Sequence, residues 1–171
     1  RTDPLTGLPN RRLFDLQLDQ ALSAARRSGQ PVAVLMIDAD HFKRINDVHG
    51  HAVGDEVLAM LADVLRGRLR EGDLLARYGG EEFVALLPGA SQTDALARAQ
   101  SLVAEVARQR SAVYGEVTVS IGVAATPPDE SAAWALMRRA DEALYRAKAL
   151  GRNRAFAHHG EPADAAATPR S

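Results

Sequence analysis

RYGGEEFVALL, residues 77–87, sets two glycines and two glutamates between apolar segments that each have the make-up of a buried strand. LLARY before the bend and FVALL after it predict a hairpin with GGEE at its tip. A second apolar run, VAVLMI at 32–37, is short, continuous and bounded by Pro31 and Asp38, as a strand covered on both faces would be. It ends in Asp38-Ala39-Asp40. If the two strands are sheet neighbours, Asp38, Glu81 and Glu82 meet at one edge of the sheet. Carboxylates gathered in this way repel one another unless a cation sits among them. Hard oxygen donors without a thiolate or imidazole set favour Mg²⁺ or Mn²⁺ over zinc. Gly79 and Gly80 are expected to supply positive φ at the turn and to leave room for a bulky ligand. On this motif alone, an ordinary solvated hairpin turn explains the residues equally well.

Outward from the hairpin, Asn10 predicts a capped helix with Phe14, Leu18, Leu22 and Ala25 on one stripe, ending at Ser28-Gly29. VHGHAVGD reads as a loop, followed by a helix from about Asp55 to near Gly72 with Leu58, Leu61, Leu65 and Leu69 on one face. Ser91 and Asp94 resemble a capping box opening a helix through Leu96, Ala99, Val103 and Val106. VTVSIGVA at 117–124 alternates, which predicts a strand burying Val117, Val119, Ile121 and Val123. Ser131 opens a last helix closed by Gly151, on which Trp134, Met137 and Tyr145 are read as core. A short strand is expected at Arg154–Phe156. Beyond residue 157 the chain is rich in Ala, Pro and polar residues and is expected to be a disordered tail. The order predicts one α/β (α+β) domain over 1–157, with five strands in a central sheet flanked by helices.

Composition bounds the function. The chain has 171 residues, 46% of them hydrophobic and 25% charged, enough for one core and too few for two. A net charge of −1 supplies no global field for nucleic acid, so any phosphate binding must be local. The absence of cysteine excludes disulfides and thiolate chemistry and fits a reducing compartment. Apolar runs are too short to span a bilayer, so the domain is expected to be soluble and cytoplasmic, in a parent protein that could still be membrane-anchored. The first residue is arginine, which suggests a domain cut from a longer chain.

DADHFKRINDVHGHAVGD, residues 38–55, packs carboxylates, an amide and a lysine into one span and reads as a site loop. The His49/His51 pair lacks a third imidazole and is a poor metal site. Lys148 and Arg152 lie four apart at a helix end, where basic residues also merely complement the helix dipole.

GGEEF (79–83), DPLTGLPNRR (3–12), DADHFKRINDVHGHAVGDEVL (38–58) and ADEALYRAKALGRNR (140–154) together resemble the GGDEF family of diguanylate cyclases, from Asp3 to about Phe156. The resemblance implies a mostly antiparallel sheet similar to the palm of nucleotidyl cyclases and polymerases. It implies condensation of two GTP into cyclic di-GMP with release of two pyrophosphates, each of two facing domains holding one GTP, so a homodimer is required. Asp38, Glu81 and the carbonyl of Ala39 match the ligands of two divalent cations per site, Mg²⁺ or Mn²⁺. Glu82 matches a position that assists deprotonation of the 3′-hydroxyl, a proton that Glu81 or solvent could equally take. Lys43 matches a residue that stabilises charge on the transferring phosphate, and Lys148 and Arg152 match binders of the terminal phosphates. Backbone amides near His41 and Phe42 add donors. Asn46 and Asp55 match the guanine-reading pair, and His51 has a minor positioning role in the substrate loop. Arg70 and Asp73 form R-x-x-D, with five residues before Gly79, the spacing of the family's inhibitory product site. An upstream sensory or regulatory domain is implied. A non-catalytic module that binds GTP or cyclic di-GMP is the alternative, disfavoured by intact Asp38, Glu81 and Glu82. A related nucleotidyl cyclase or polymerase-like enzyme with another substrate is disfavoured by the guanine-reading pair.

Overall fold

The computed structural model describes residues 1–127 and 132–158. Strand β1 (Val32–Ala39) is buried along its whole length, because helices cover both faces of the sheet it centres. The sheet order is β2-β3-β1-β4-β5, with β2 (Leu74–Arg77), β3 (Glu82–Pro88), β4 (Val119–Ala125) and β5 (Arg154–Ala157). All neighbours are antiparallel except β4 and β5, which are parallel. Alternation along β1 divides the core in two. Ala33, Leu35, Ile37 and Ala39 join a cluster with Val57, Leu61 and Leu65 of α3 (His51–Gly67) and Leu102 and Val106 of α4 (Gln92–Ala107). Val32, Val34 and Met36 join Phe14, Leu18 and Leu22 of α1 (Arg11–Ser28) and Leu136, Ala140 and Leu144 of α5 (Ala133–Ala149).

The caps at Asn10 and Ser91 form as expected, their side chains accepting from the amides of Leu13 and Asp94. Several expectations are corrected. The span expected to be a loop is helical: α2 (Phe42–His49) and α3 are separated only by Gly50, at φ 90. Lys43, Asn46, His51 and Asp55 of this span line a cleft, while Arg44, Asp47 and His49 are exposed to solvent. The long helix stops at Gly67, short of Gly72. Strand β4 starts at Val119 and buries both faces, because Ser120, Gly122 and Ala124 are small. A side chain at Gly122 would overlap the backbone of Ala140 and Leu144, so this residue sets how closely α5 seats on the sheet. Trp134 and Tyr145 are 69% and 73% exposed and belong to no core. They lie on the face of α5 turned away from the sheet, where helical spacing alone could not place them. The cap expected at Ser131 and nearly all of the tail lie outside the described residues.

Candidate active site

The antiparallel register sets Asp38 opposite Glu82, and the Ala39 amide donates to the Glu81 carbonyl at 3.2 Å. The end of the central strand and the tip of the hairpin therefore form one acidic patch. Burial pushes the Asp38 carboxyl up; the Lys148 ammonium, in an ion pair with its Oδ2, opposes this, and Asp40 adds to it. Burial also raises Glu81 and Glu82, and the charge of Asp38 raises both further. Asp38 Oδ1 is buried and has no hydrogen-bond partner among the described residues. The patch is a set of acids held together with one ammonium for compensation.

Beside it opens a cleft of about 400 Å³ lined by Phe42, Lys43, Asn46, His51, Asp55 and Glu81, with Leu58, Arg77 and Gly80. Six of the residues expected from sequence thus line one space, although they come from α2, α3 and the hairpin. Asn46 Oδ1 is buried without a hydrogen-bond partner among the described residues, and a side chain at Gly54 would overlap it. Asp55 faces it from the next helix. Lys43 is exposed and pairs with Asp47 at 3.0 Å. His41 precedes α2 in the left-handed region at φ 55, so its carbonyl accepts from the Arg44 and Ile45 amides. The amides that open α2 are the unpaired donors of any helix start. Arg152 lies close enough to Asp38 to act on its charge. A larger groove of about 630 Å³ between α1 and the hairpin base is mostly apolar, with Asp73 the one titratable lining residue among those described. Chemistry selects the smaller cleft.

Gly79 and Gly80 do not adopt positive φ, contrary to expectation. A Cβ on Gly79 would stand 2.8 Å from Glu82 Oε1, so the first glycine makes room for a glutamate of the same turn. The turn is fixed from outside by Arg77, which donates to the Gly79 and Gly80 carbonyls at 3.3 and 2.7 Å and to Asp3 at 3.0 and 3.1 Å. Burial pushes Asp3 up, but hydrogen bonds from Thr6 and Arg77 outweigh it and hold the carboxyl below its usual range. Sequence reasoning quoted both motifs without connecting Asp3 to Arg77; their opposite charge was the available signal.

Arg70 and Asp73 lie at the other end of the hairpin. The Asp73 carboxylate accepts from the Arg70 amide at 2.9 Å and pairs with Arg98, which the sequence reading did not single out. Two donors expected from a ligand are thus supplied by the protein itself. Among the described residues no three His, Cys, Asp or Glu side chains form a metal cage. Two carboxylates and a carbonyl remain compatible with Mg²⁺, which keeps waters and substrate oxygens in its shell.

A mostly antiparallel sheet with helices on both faces and acids at the end of its central strand defines a palm-like domain of the nucleotidyl cyclase type. The chain belongs to the GGDEF family: its sequence matches the profile "Diguanylate cyclase, GGDEF domain" over residues 1–154. It is 47% identical over 157 residues to the response regulator PleD of Caulobacter vibrioides, covering 89% of this chain and 35% of PleD. It is 45% identical over 155 residues to the diguanylate cyclase DgcM of Escherichia coli, covering 91% of this chain and 38% of DgcM. The chain therefore spans little more than a third of these relatives. Among solved structures, the GGDEF domain of TpbB from Pseudomonas aeruginosa matches with a TM-score of 0.87 at 42% identity, covering 93% of this chain and 95% of that one. The GGDEF domain of DgcB from Caulobacter crescentus, in complex with c-di-GMP, matches with a TM-score of 0.85 at 39% identity, over 91% and 92% of the two chains. Among the described residues no helix is long and apolar enough to cross a membrane.

Proposed function

We propose that this domain is a diguanylate cyclase that condenses two GTP into cyclic di-GMP and two pyrophosphates. The observation that carries the reading is the junction of the acidic patch with a cleft holding a buried, unpartnered Asn46 carbonyl. An acidic patch alone has no use for an adjoining cleft lined by Asn46 and Asp55, and a binding cleft alone has no use for three crowded acids.

Asp38, Glu81 and the Ala39 carbonyl are the groups suited to hold two Mg²⁺ or Mn²⁺. The orphaned Asp38 Oδ1 fits this role, and ions held there would screen the triphosphate charge and act as Lewis acids. The guanine base enters the cleft, where the Asp55 carboxylate accepts from N1–H and the 2-amino group and the Asn46 amide meets the base edge. Adenine offers no such donors, so ATP leaves Asp55 unpaired. His51 sits at the rim and helps to position the base. The terminal phosphates draw Lys148 away from Asp38 and engage Arg152, while Lys43 and the amides opening α2 at His41 and Phe42 meet charge nearer the α-phosphorus. Attack by the 3′-oxygen of one nucleotide on the α-phosphorus of the other expels pyrophosphate, and Glu82 takes the 3′-hydroxyl proton. Its raised proton affinity suits it to that task.

The described residues of one chain form one such cleft, so a second copy must face it, and specific activity rises with protein concentration. Arg70, Asp73 and Arg98 form the product site; two neighbouring guanidinium groups suit a phosphodiester. GTP as substrate puts the domain's work in the cytoplasm, and an upstream domain controls pairing. The test is to incubate the chain with GTP and Mg²⁺ and weigh the product. Cyclic di-GMP from GTP and none from an ATP control supports the reading; bound but unaltered GTP at high protein concentration makes the domain a non-catalytic module.

A further inference from the structure

Asp40 follows the metal-site residues by one position, yet it holds neither ligand nor cleft. It is 5% exposed and fully engaged: Oδ2 accepts from Thr118 Oγ1 at 2.7 Å and from the Asn153 amide at 3.0 Å, and Oδ1 accepts from Ser120 Oγ at 2.6 Å. Its partners are two hydroxyls and one amide. A buried carboxylate with neutral partners is a poor choice for packing alone, since an apolar side chain would avoid its desolvation. The amide it grips belongs to an unusual turn. Arg152 and Asn153 are consecutive non-glycine residues in the left-handed region, at φ 63 and 50. Such pairs persist only where surrounding contacts dictate them. On the helix side the Arg152 amide bonds to the Ala147 carbonyl at 3.0 Å; on the strand side the anchor is Asp40. The turn thus fixes the direction of Arg152 and the last turn of α5 that carries Lys148.

We propose that Asp40 is a positioning residue that locks the Arg152–Asn153 turn to the end of β1 and so holds the triphosphate-binding cations in register with the carboxylates at Asp38 and Glu81. This rests on the GTP reading above and adds a residue that the reading did not use. It predicts an effect on the triphosphate alone, because Asn46 and Asp55 stand on α2 and α3, which Asp40 does not touch through its carboxylate.

The experiment is calorimetric titration, in Mg²⁺, of the whole chain and its variants with GMP and with a GTP analogue whose α,β-bridging oxygen is a methylene. Asp40→Ala should weaken analogue binding about tenfold or more, the worth of one charge-assisted hydrogen bond, and leave GMP within about twofold. Asp40→Asn should recover most of the loss, since its carbonyl can accept from Asn153 and its amino group can donate to Ser120. Should Asp40→Ala fail to fold, the double variant Thr118→Val/Ser120→Ala decides. It changes no charge but removes both hydroxyls that orient Asp40, and it should weaken the analogue about threefold with GMP unaffected. Equal losses for both ligands, or no loss for the analogue, would overturn the proposal and leave Asp40 a fold residue. A wild-type chain that binds neither ligand would instead overturn the nucleotide reading.

Discussion

The two ends of the β2–β3 hairpin treat their acids in opposite ways. At the base, Asp73 is satisfied by the Arg98 guanidinium and the Arg70 amide. At the tip, Glu81 and Glu82 crowd Asp38, all three are raised above their ordinary proton affinities, and Lys148 is the ammonium that pairs with Asp38. Two ends of one hairpin separated by the four residues of β2 differ in whether their charge is completed from within. The base is finished by the fold, and the tip awaits something positive. Acids left unfinished in this way are a mark of function, because folding alone selects against them.

The comparison breaks first on activity. Asp38→Ala or Glu81→Ala should abolish cyclic di-GMP formation, by about a hundredfold or more, with the circular dichroism spectrum unchanged, because each removes a proposed metal ligand and no apolar core group. Turnover near the wild-type rate would return the tip to an ordinary turn. Next comes base choice. Asp55→Ala should erode the preference for GTP over ATP by roughly ten- to a hundredfold in kcat/KM. Gly54→Ala should act in the same direction by pushing Asn46 aside; an unchanged preference in both would place guanine recognition elsewhere.

At the base the expected effects are on stability and regulation. Asp73→Ala leaves a partly buried Arg98 without its partner and should destabilise the domain by about 1–2 kcal/mol in urea unfolding. Arg70→Ala, whose side chain is exposed, should leave stability and initial rate near wild type while relieving noncompetitive inhibition by cyclic di-GMP. Equal product affinity for this variant and wild type, measured by calorimetry, would reduce the R-x-x-D pattern to a helix end and a turn.

Most of the element order was legible in the sequence because its signals are local: the Asn10 and Ser91 caps, the apolar run of β1 and the hairpin punctuation. The α2–α3 region was misread because Lys43, Asn46 and Asp47 give it a loop's composition, while α2 meets the core through buried Phe42 and partly buried Ile45. The candidate site residues were named through motifs, and the meeting of Asp38 with Glu81 and Glu82 was expected if β1 and β3 were neighbours, as their register has them; that residues of α2 and α3 line a cleft beside them was not legible. Arg98 and the Asp40 anchor were invisible, and for Arg77 with Asp3 opposite charge was the one signal. Each is a long-range pair whose members look ordinary alone. Trp134 and Tyr145 failed in reverse: they carry a core composition on an exposed face.

The smallest effect is the most diagnostic of the tip. Carboxyls raised on folding bind protons more tightly in the folded state than in the unfolded chain. The stability that protonation gives is therefore present below the unfolded range near pH ~4 and lost as pH rises through the raised range. In metal-free buffer at pH 7, Glu81→Gln should accordingly melt higher than wild type by roughly a degree or more, and the gain should vanish toward pH ~4. Differential scanning of both proteins at pH 7, without metal and then with Mg²⁺ and the methylene GTP analogue, puts the central claim to the test. The account predicts that the order reverses: the variant is the more stable without ligand, and wild type is the more stable with it. The same order in both conditions would contradict a tip whose unfinished charge exists to be completed by metal and nucleotide.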